Sequence, residues 1–198
     1  MKIKSAEFIR SAPNLEGCPF AALPEFPFIG RSNVGKSSLI NLLAERRELA
    51  KVSKTPGKTK LINFFRINGN WMLVDLPGYG YANVGKNQRA DFNVAVADYL
   101  EQRENLRCVF VLIDSRLPPQ RIDLEFLAWL RTTVVPFALV FTKADKLTAT
   151  QVKTNVDVFL RTAFEGLTVP PTYFTSSSET KQGRTDILNF IQASLTGK

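Results

Sequence analysis

The sequence contains no histidine and only two cysteines, Cys18 and Cys108. Without histidine, a zinc site of the Cys/His type is excluded, and so is any catalytic scheme that needs a histidine base. The two cysteines lie far apart, and Cys108 falls in an apolar run that predicts a plain buried residue. This cysteine usage is what we expect of a reduced, cytoplasmic protein.

Long apolar segments are also missing. No run reaches the roughly eighteen apolar residues that a transmembrane helix needs. The first residues lack the apolar segment of a signal peptide, and neither terminus carries a lipidation motif. We therefore expect no membrane anchor. A length of 198 residues with 44% apolar content predicts one monomeric domain over residues 1–198, with residues 1–24 as a strand and loop extension packed on it.

Positive charge is in excess, with a formal net charge of +8. Residues 46–60 hold six basic residues against one acidic residue, Glu48, which is a net charge of +5. Such a cluster is either a solvated face or a contact for a polyanionic partner. Of the possible partners, RNA is favoured over a membrane surface.

Residues 30–37 fit the pattern G-x-x-x-x-G-K-[ST], after a short apolar run and before a helix pattern. The backbone N–H groups of such a phosphate loop can wrap a phosphate chain. Lys36 adds a charge at the β- and γ-phosphates, and the Ser37 hydroxyl can ligate the Mg²⁺ of a nucleotide. The nucleotide-binding residues predicted here are Gly30, Arg31, Ser32, Asn33, Val34, Gly35, Lys36, Ser37 and Ser38.

Strand and helix patterns alternate along the chain. Strands are predicted at residues 3–9, 61–67, 71–74, 109–113, 137–141 and 173–174 and just before the phosphate loop, and helices at 36–44, 91–103, 122–131, 149–164 and 185–195. Asn68-Gly69 predicts a tight hairpin, and residues 45–60 predict a mobile loop. The predicted fold class is α/β: a P-loop domain with a mostly parallel central sheet, one antiparallel hairpin strand and helices on both faces.

Ligands of such a fold bind at the carboxyl ends of the strands, where further short motifs fall. Asp75 and Gly78 form D-x-x-G, which offers a carboxylate to hold a metal through water and an N–H to reach a γ-phosphate. Thr59 could supply a second hydroxyl to Mg²⁺ when a triphosphate is present. The site residues predicted from these two stretches are Gly57, Lys58, Thr59, Lys60, Leu61, Asp75, Leu76, Pro77 and Gly78.

Two motifs suit a guanine base. Asp145, in Thr142-Lys143-Ala144-Asp145, can accept two hydrogen bonds from guanine N1 and N2, which adenine cannot donate. The Lys143 stem can lie across the purine face. One of three serines after the last strand could present its backbone N–H to guanine O6; the candidates are Ser176, Ser177 and Ser178. We therefore predict GTP and GDP as the ligands, with Mg²⁺.

The order and spacing of these motifs resemble the EngB-type GTPases (also called YihA or YsxC), a bacterial branch of the translation-factor-like GTPases. The resemblance covers nearly the whole chain and rests on residues 30–41, 55–60, 75–81, 142–145 and 177–183. The Thr-Pro-Gly of residues 55–57 and the Leu-Pro-Gly-Tyr-Gly-Tyr of residues 76–81 are its most specific parts. Thr142 stands where most GTPases carry asparagine, and threonine has less hydrogen-bonding capacity toward guanine N7.

This resemblance implies a GTP-driven factor in assembly of the large ribosomal subunit, needed for normal cell division and septation. The basic residues 46–60 would then contact rRNA. Two alternatives come from other classes. A signalling or membrane-recruited switch would want a lipid or amphipathic anchor, and a nucleotide kinase would want a lid and an acceptor site instead of Thr142–Asp145.

One residue that many GTPases use in catalysis is missing from this sequence. Many GTPases place glutamine directly after the D-x-x-G glycine to orient the attacking water, but here that position is Tyr79, so slow intrinsic hydrolysis is predicted. The residues predicted to carry catalysis are Lys36, Thr59, Gly78 and Asn33. The Asn33 side chain either holds a K⁺ ion against the β/γ bridge, as the resemblance implies, or merely caps the loop. A ribosomal component could equally supply the missing group. We also expect residues 46–60 to become ordered only with bound GTP, through Thr59 on Mg²⁺.

Overall fold

The computed structural model describes residues 1–20, 22–46, 49–50, 61–79 and 86–197, with the backbone alone for residues 86–93. Within these ranges the strands are β1 (Ala6–Ala12), β2 (Glu25–Gly30), β3 (Ile62–Ile67), β4 (Trp71–Asp75), β5 (Val109–Asp114), β6 (Phe137–Thr142) and β7 (Tyr173–Thr175). The helices are α1 (Lys36–Ala44), α2 (Lys86–Gln102), α3 (Arg121–Leu130), α4 (Ala149–Ala163) and α5 (Arg184–Thr196), with a short 3₁₀ turn at Ala144–Lys146.

The strands form one sheet in the order β1-β3-β4-β2-β5-β6-β7. Strand β3 is antiparallel to both of its neighbours, and all other pairs are parallel. Six strands therefore run in one direction and β3 runs in the other. This confirms the predicted α/β fold class, in which the antiparallel strand belongs to the Asn68-Gly69 hairpin. Parallel strands end at the same edge of a sheet, so β2, β4, β5, β6 and β7 share one carboxyl edge.

The hairpin between β3 and β4 turns at Asn68 and Gly69, whose φ angles are 50° and 74°. Two consecutive left-handed residues are what a type I′ turn requires, which explains the Asn-Gly pair. The Asn68 side chain also accepts a hydrogen bond from the Lys4 N–H at 2.6 Å and donates one to the Lys2 carbonyl at 2.8 Å. The turn residue thus fixes the start of the chain beside the sheet.

The core lies on both faces of the sheet. One cluster joins α1 and α5 to the sheet, and the other joins α2, α3 and α4 to its opposite face. Because both faces are covered, all six residues of β5 are buried, which is why that strand is a continuous apolar run up to its final aspartate. Among the described residues, no helix has the length and apolar character needed to cross a membrane.

Two elements, β1 and α2, differ from their predicted bounds by more than one residue. Strand β1 occupies Ala6–Ala12 instead of residues 3–9, because its pairing with β3 continues as far as Ala12, across a register shift between Phe8 and Arg10. Pro13 then ends the strand. Helix α2 begins at Lys86, whereas the sequence predicts a start at Asp91. The predicted start is too late because the first turn of the helix is polar and shows no apolar periodicity.

Most of the basic segment lies outside the described residues, namely positions 47–48 and 51–60. Ala50, which is described, is 3% exposed. Its N–H donates to Asn41 Oδ1 at 2.8 Å, and its carbonyl accepts from Asn41 Nδ2 at 2.9 Å. At this position the chain is held against α1, which differs from the mobile loop predicted over residues 45–60.

Candidate nucleotide-binding site

The sequence motifs meet at the carboxyl edge of the sheet. Strand β2 lies between β4 and β5, so Gly30 at its end is flanked by the ends of both neighbours. The register pairs Phe28 with Asp75 and Asp114 with Thr142. In a sheet of this kind ligands bind outside the carboxyl ends of the strands, where the chain connections diverge to both sides.

The phosphate loop has the backbone that its glycine pattern implies. Gly35 adopts a φ of 103°, where a side chain would be strained, and Asn33 adopts 62°. Helix α1 begins directly afterwards at Lys36, and its first turn carries no acidic side chain. The free N–H groups and the positive end of the helix therefore face the space outside β2, as an anion requires.

Lys36 and Asp75 lie together, because the Lys36 ammonium and Asp75 Oδ1 form an ion pair at the end of β4. Asp75 is 3% exposed and belongs to the D-x-x-G motif, so the phosphate loop and this motif share one polar centre. Ser37, the predicted metal ligand, is the next residue of α1. A hydroxyl and a carboxylate are the hard oxygen donors that Mg²⁺ prefers.

A protein-only metal cluster is not found among the described residues, where no three His, Cys, Asp or Glu side chains group together. The Ser37 hydroxyl and the Asp75 carboxylate suit a Mg²⁺ ion that takes its other ligands from phosphate oxygens and water, as the predicted nucleotide would supply. Thr59, the other predicted metal ligand, lies outside the described residues, as do Gly57, Lys58 and Lys60. Leu61 is described and is 40% exposed just before β3.

The D-x-x-G loop lies against the phosphate loop. Leu76, Pro77 and Gly78 are all buried, and the Leu76 N–H donates to the Phe28 carbonyl at 3.0 Å. A Cβ atom at Gly78 would collide with the Gly30 carbonyl oxygen. Only glycine permits this approach, which brings the Gly78 backbone next to the phosphate site.

Thr142 ties the end of β6 to the phosphate loop. Its hydroxyl lies 2.6 Å from the Val34 carbonyl oxygen, to which it donates, and 3.2 Å from that of Ile113. The residue is 4% exposed. Its hydroxyl is thus engaged by the protein, so the contact with guanine N7 that asparagine would make is replaced by a structural tie.

Lys143 adopts a φ of 61° and crosses back over the phosphate loop. Its ammonium donates to the Asn33 carbonyl at 2.6 Å and to Asp114 Oδ2 at 2.8 Å. With the head group held at both points, the aliphatic stem is fixed over the space beside the loop. We expect the stem to cover a purine face from this position.

Asp145 follows in the 3₁₀ turn and keeps its carboxylate ionised. Lys146 Nζ lies 2.8 Å from Asp145 Oδ2. The hydrogen bond from Lys146, and a second from the Ser177 side chain, lower the pKa of Asp145 below its ordinary value. A carboxylate that stays ionised can only accept hydrogen bonds, which matches the N1 and N2 donors of guanine.

The serine loop after β7 resolves which N–H can reach guanine O6. The Ser176 N–H donates to the Phe141 carbonyl at 2.7 Å and the Ser177 N–H to the Gln182 carbonyl at 3.2 Å. Both N–H groups are engaged within the protein, which narrows the three candidate serines of the sequence prediction. Within the described chain, Ser178 is the candidate that remains.

Asp114, at the end of β5, is a site residue that the sequence prediction missed. Arg116 Nε lies 2.9 Å from Oδ1 and Arg116 Nη2 lies 2.8 Å from Oδ2, which also holds Lys143. Burial alone would raise the pKa of Asp114, but the hydrogen bonds from Arg116 and Lys143 outweigh it and lower the pKa to about 2. A polar residue directly after a buried strand was the signal that could have identified it.

The phosphate loop follows β2, the D-x-x-G loop follows β4 on one side of it, and the Thr142–Asp145 motif follows β6 on the other side. This arrangement places the chain in the class of P-loop GTPases. Residues 25–143 match the family model described as 50S ribosome-binding GTPase.

Curated relatives extend this match to nearly the whole chain. The protein is 55% identical over 193 residues to a probable GTP-binding protein EngB of Phocaeicola vulgatus, an alignment that covers 98% of this chain and 96% of that protein. A protein of the same description from Porphyromonas gingivalis is 48% identical, again covering 98% and 96%. The chain therefore belongs to the EngB family of GTP-binding proteins and is a GTPase.

Solved structures share the fold. A crystal structure of a probable GTP-binding protein engB superimposes with a TM-score of 0.70 at 24% identity, covering 88% of this chain and 100% of that chain. Era, crystallised with MgGDPNP and nucleotides 1506–1542 of 16S ribosomal RNA, gives a TM-score of 0.68 at 19% identity, covering 85% of this chain and 55% of that one. At these identities the structures share an architecture, and function is argued from the site.

Proposed function

We propose that this GTPase is a switch in assembly of the large ribosomal subunit, and that cells need it for normal division and septation. The observation that carries the proposal is the match of residues 25–143 to the family described as 50S ribosome-binding GTPase, in a chain with a net charge of +8. A basic protein lowers the free energy of a nearby phosphate backbone, so rRNA is a suitable partner. A cytoplasmic location follows from this role.

Different residues at the carboxyl edge of the sheet bind different parts of the nucleotide and its Mg²⁺. Lys36, which pairs with Asp75 in the structure, is assigned to the β- and γ-phosphates, and the Gly78 N–H is assigned to the γ-phosphate. A bound Mg²⁺ supplies positive charge at these phosphates, and Ser37 and Thr59 are the residues that would hold it. Hydrolysis is slow without a partner, because Tyr79 offers no amide to orient water.

The ribosomal contact is assigned to the basic residues 46–60. GTP brings the γ-phosphate and Mg²⁺ with which Thr59 interacts, and this interaction fixes the segment in the GTP-bound form. Its lysines are then presented together to rRNA. In the GDP-bound form the anchoring contact is absent, so affinity for the large subunit falls. GTP hydrolysis thus sets the time that the protein spends on the particle.

The test is sedimentation of the purified protein with purified large ribosomal subunits, in a non-hydrolysable GTP analogue or in GDP, at rising salt. We expect binding in the analogue, on the order of tenfold weaker binding in GDP, and a loss of affinity as salt rises. The double variant Lys51→Ala, Lys54→Ala should bind more weakly. Its matched control is Lys153→Ala, Arg161→Ala, which removes two exposed charges from α4 instead.

The outcomes separate the alternatives. Equal binding by the two double variants would contradict the assignment of rRNA contact to residues 46–60. No binding to large subunits in either nucleotide would contradict the ribosomal role altogether. Nucleotide-dependent sedimentation with lipid vesicles would instead favour a membrane-recruited switch.

A further inference from the structure

Tyr79, in the position after the D-x-x-G glycine, is an anchor within the protein. The side chain is 7% exposed, and its ring stacks on Phe126 with centroids 4.4 Å apart and 18° between the planes. Its hydroxyl donates to Asp123 Oδ1 at 2.9 Å. A phenol held in this way faces the core, so it does not orient water at a phosphate.

Asp123 connects this anchor to the phosphate loop. The residue lies in the first turn of α3 and is 1% exposed. While Oδ1 accepts from Tyr79, Oδ2 lies 3.2 Å from Arg31 Nε. Burial raises the pKa of Asp123, because removing a carboxylate from water is costly unless partners compensate for it. A buried carboxylate shared by two loops of the site requires an explanation beyond packing.

The two partners of Asp123 flank the point where the loops touch. Arg31 directly follows Gly30, Tyr79 directly follows Gly78, and a Cβ at Gly78 would collide with the Gly30 carbonyl. Displacing Tyr79 must therefore move Gly78 relative to the phosphate loop. The Gly78 N–H serves the γ-phosphate, whereas the α- and β-phosphates are held by the phosphate loop itself.

We propose, on the basis of the nucleotide site described above, that Asp123 is a positioning residue that strengthens binding of GTP relative to that of GDP by holding Tyr79 and Arg31 together. The network of Tyr79, Asp123 and Arg31 keeps the Gly78 N–H at a fixed distance from the phosphate loop. A γ-phosphate then finds its donor already in place, and little ordering free energy is lost on binding. GDP, which has no γ-phosphate, gains nothing from this preorganisation.

A second network of a tyrosine, a carboxylate and an arginine lies at the other end of β2, the strand that leads into the phosphate loop. Tyr99 donates to Glu25 Oε2 at 2.6 Å, and Arg103 contacts both Glu25 oxygens at 2.7 Å and 2.9 Å. Glu25 is 1% exposed and is the first residue of β2, whereas Gly30 is its last. This second network joins the same residue types around an equally buried carboxylate, but it lies at the opposite edge of the sheet from the nucleotide site.

The test compares Tyr79→Phe with Tyr99→Phe, each of which removes one buried hydroxyl from a carboxylate–arginine pair. Affinities for GDP and for a non-hydrolysable GTP analogue are measured by calorimetry, together with the melting temperature. We expect Tyr79→Phe to weaken analogue binding about tenfold while GDP binding changes less than about twofold. Tyr99→Phe should lower the melting temperature to a similar degree and leave the ratio of the two affinities unchanged.

Asp123→Asn provides a second, nearly isosteric variant, which keeps an acceptor for Tyr79 and removes the charge that faces Arg31. The same selective loss of analogue binding is expected from it. An unchanged ratio of analogue to GDP affinity in both site variants would overturn the proposal, because the network would then serve stability alone. An equal change of that ratio in Tyr99→Phe would overturn it as well.

Discussion

Asn33 occupies an exposed point of the phosphate loop in a left-handed backbone conformation, with a φ of 62°. Its carbonyl is held by the Lys143 ammonium at 2.6 Å, so its backbone position is fixed while its side chain remains at the surface. We expect a side-chain carbonyl exposed at this point of the loop to serve as a ligand for a monovalent cation. A cap for the loop would instead turn its side chain to the backbone.

We therefore predict that GTP turnover is faster in potassium than in sodium, and that Asn33→Ala removes this difference. The expected loss is on the order of a hundredfold, which is typical when one electrostatic contact to a transition state is removed. Steady-state phosphate release in matched potassium and sodium buffers, with Ser32→Ala as the neighbouring control, checks this prediction. Equal rates in the two salts for the wild-type protein would leave Asn33 with a structural role.

At the scale of single residues, the sequence predicts the side chains whose spacing is dictated by a nucleotide. The structure brings Lys36, Asp75 and Lys143 to one edge of the sheet, and their roles toward a nucleotide stay predictions. Asp123 could not be predicted in this way. An aspartate in the first turn of a helix usually interacts with the helix N-terminus, and nothing local indicates a partner 44 positions earlier at Tyr79.

At the scale of elements, the ends of β5 and β6 are joined by the Asp114 carboxylate. This buried carboxylate forms ion pairs with Arg116, which follows shortly after it in the chain, and with Lys143 at the end of the neighbouring strand. The pKa of Asp114 falls from 3.8 to about 2, which corresponds to about 2 kcal/mol of stability. Since the folded-state pKa is the lower one, this contribution is present above pH 3.8 and is lost as the pH falls toward about 2.

We predict that Asp114→Asn lowers the free energy of unfolding by about 2 kcal/mol at neutral pH. The difference between wild type and variant should shrink as the pH falls from about 4 toward about 2, because the wild-type carboxylate then becomes protonated as well. Urea unfolding across this pH range measures it, with the exposed Glu179→Gln as a control that should change little. A difference that stays constant with pH would show that the ionised carboxylate is not what stabilises the fold.

Element identities were largely predictable, and element boundaries less so. Buried strands such as β5 and β6 stand out because both faces of the sheet are covered, which produces continuous apolar runs. Strand β1 lies at the sheet edge, where its alternation is weak and its true extent depends on pairing with β3. Because pairing between distant segments leaves no local pattern in the sequence, the alternation predicts this strand three residues too early.

At the scale of the whole molecule, the residues that form the hydrophobic cores and the residues of the predicted nucleotide site lie in different parts of the fold. The two cores cover the faces of the sheet. The phosphate loop, the D-x-x-G loop and the guanine motif (Thr142–Asp145) lie at its carboxyl edge. The guanine motif is the part of this arrangement that separates a GTPase from other nucleotide-binding proteins. We expect this distinction to rest on Asp145, whose pKa is lowered by hydrogen bonds from Lys146 and Ser177.

The most direct measurement is therefore calorimetric titration of the wild-type protein and Asp145→Asn with GTP, ATP and xanthosine triphosphate. The wild type should bind GTP in preference to ATP. Asp145→Asn should weaken GTP binding by about 3 kcal/mol, on the order of a hundredfold, because the amide places a donor against the guanine donors. It should also improve binding of xanthosine triphosphate.

Asp157→Asn, the same substitution on α4 away from the site, serves as the control and should leave all three affinities unchanged. Loss of GTP binding with a gain of xanthosine triphosphate in Asp145→Asn alone is the predicted result. Wild-type affinity for GTP in Asp145→Asn would contradict the placement of the guanine base at this carboxylate.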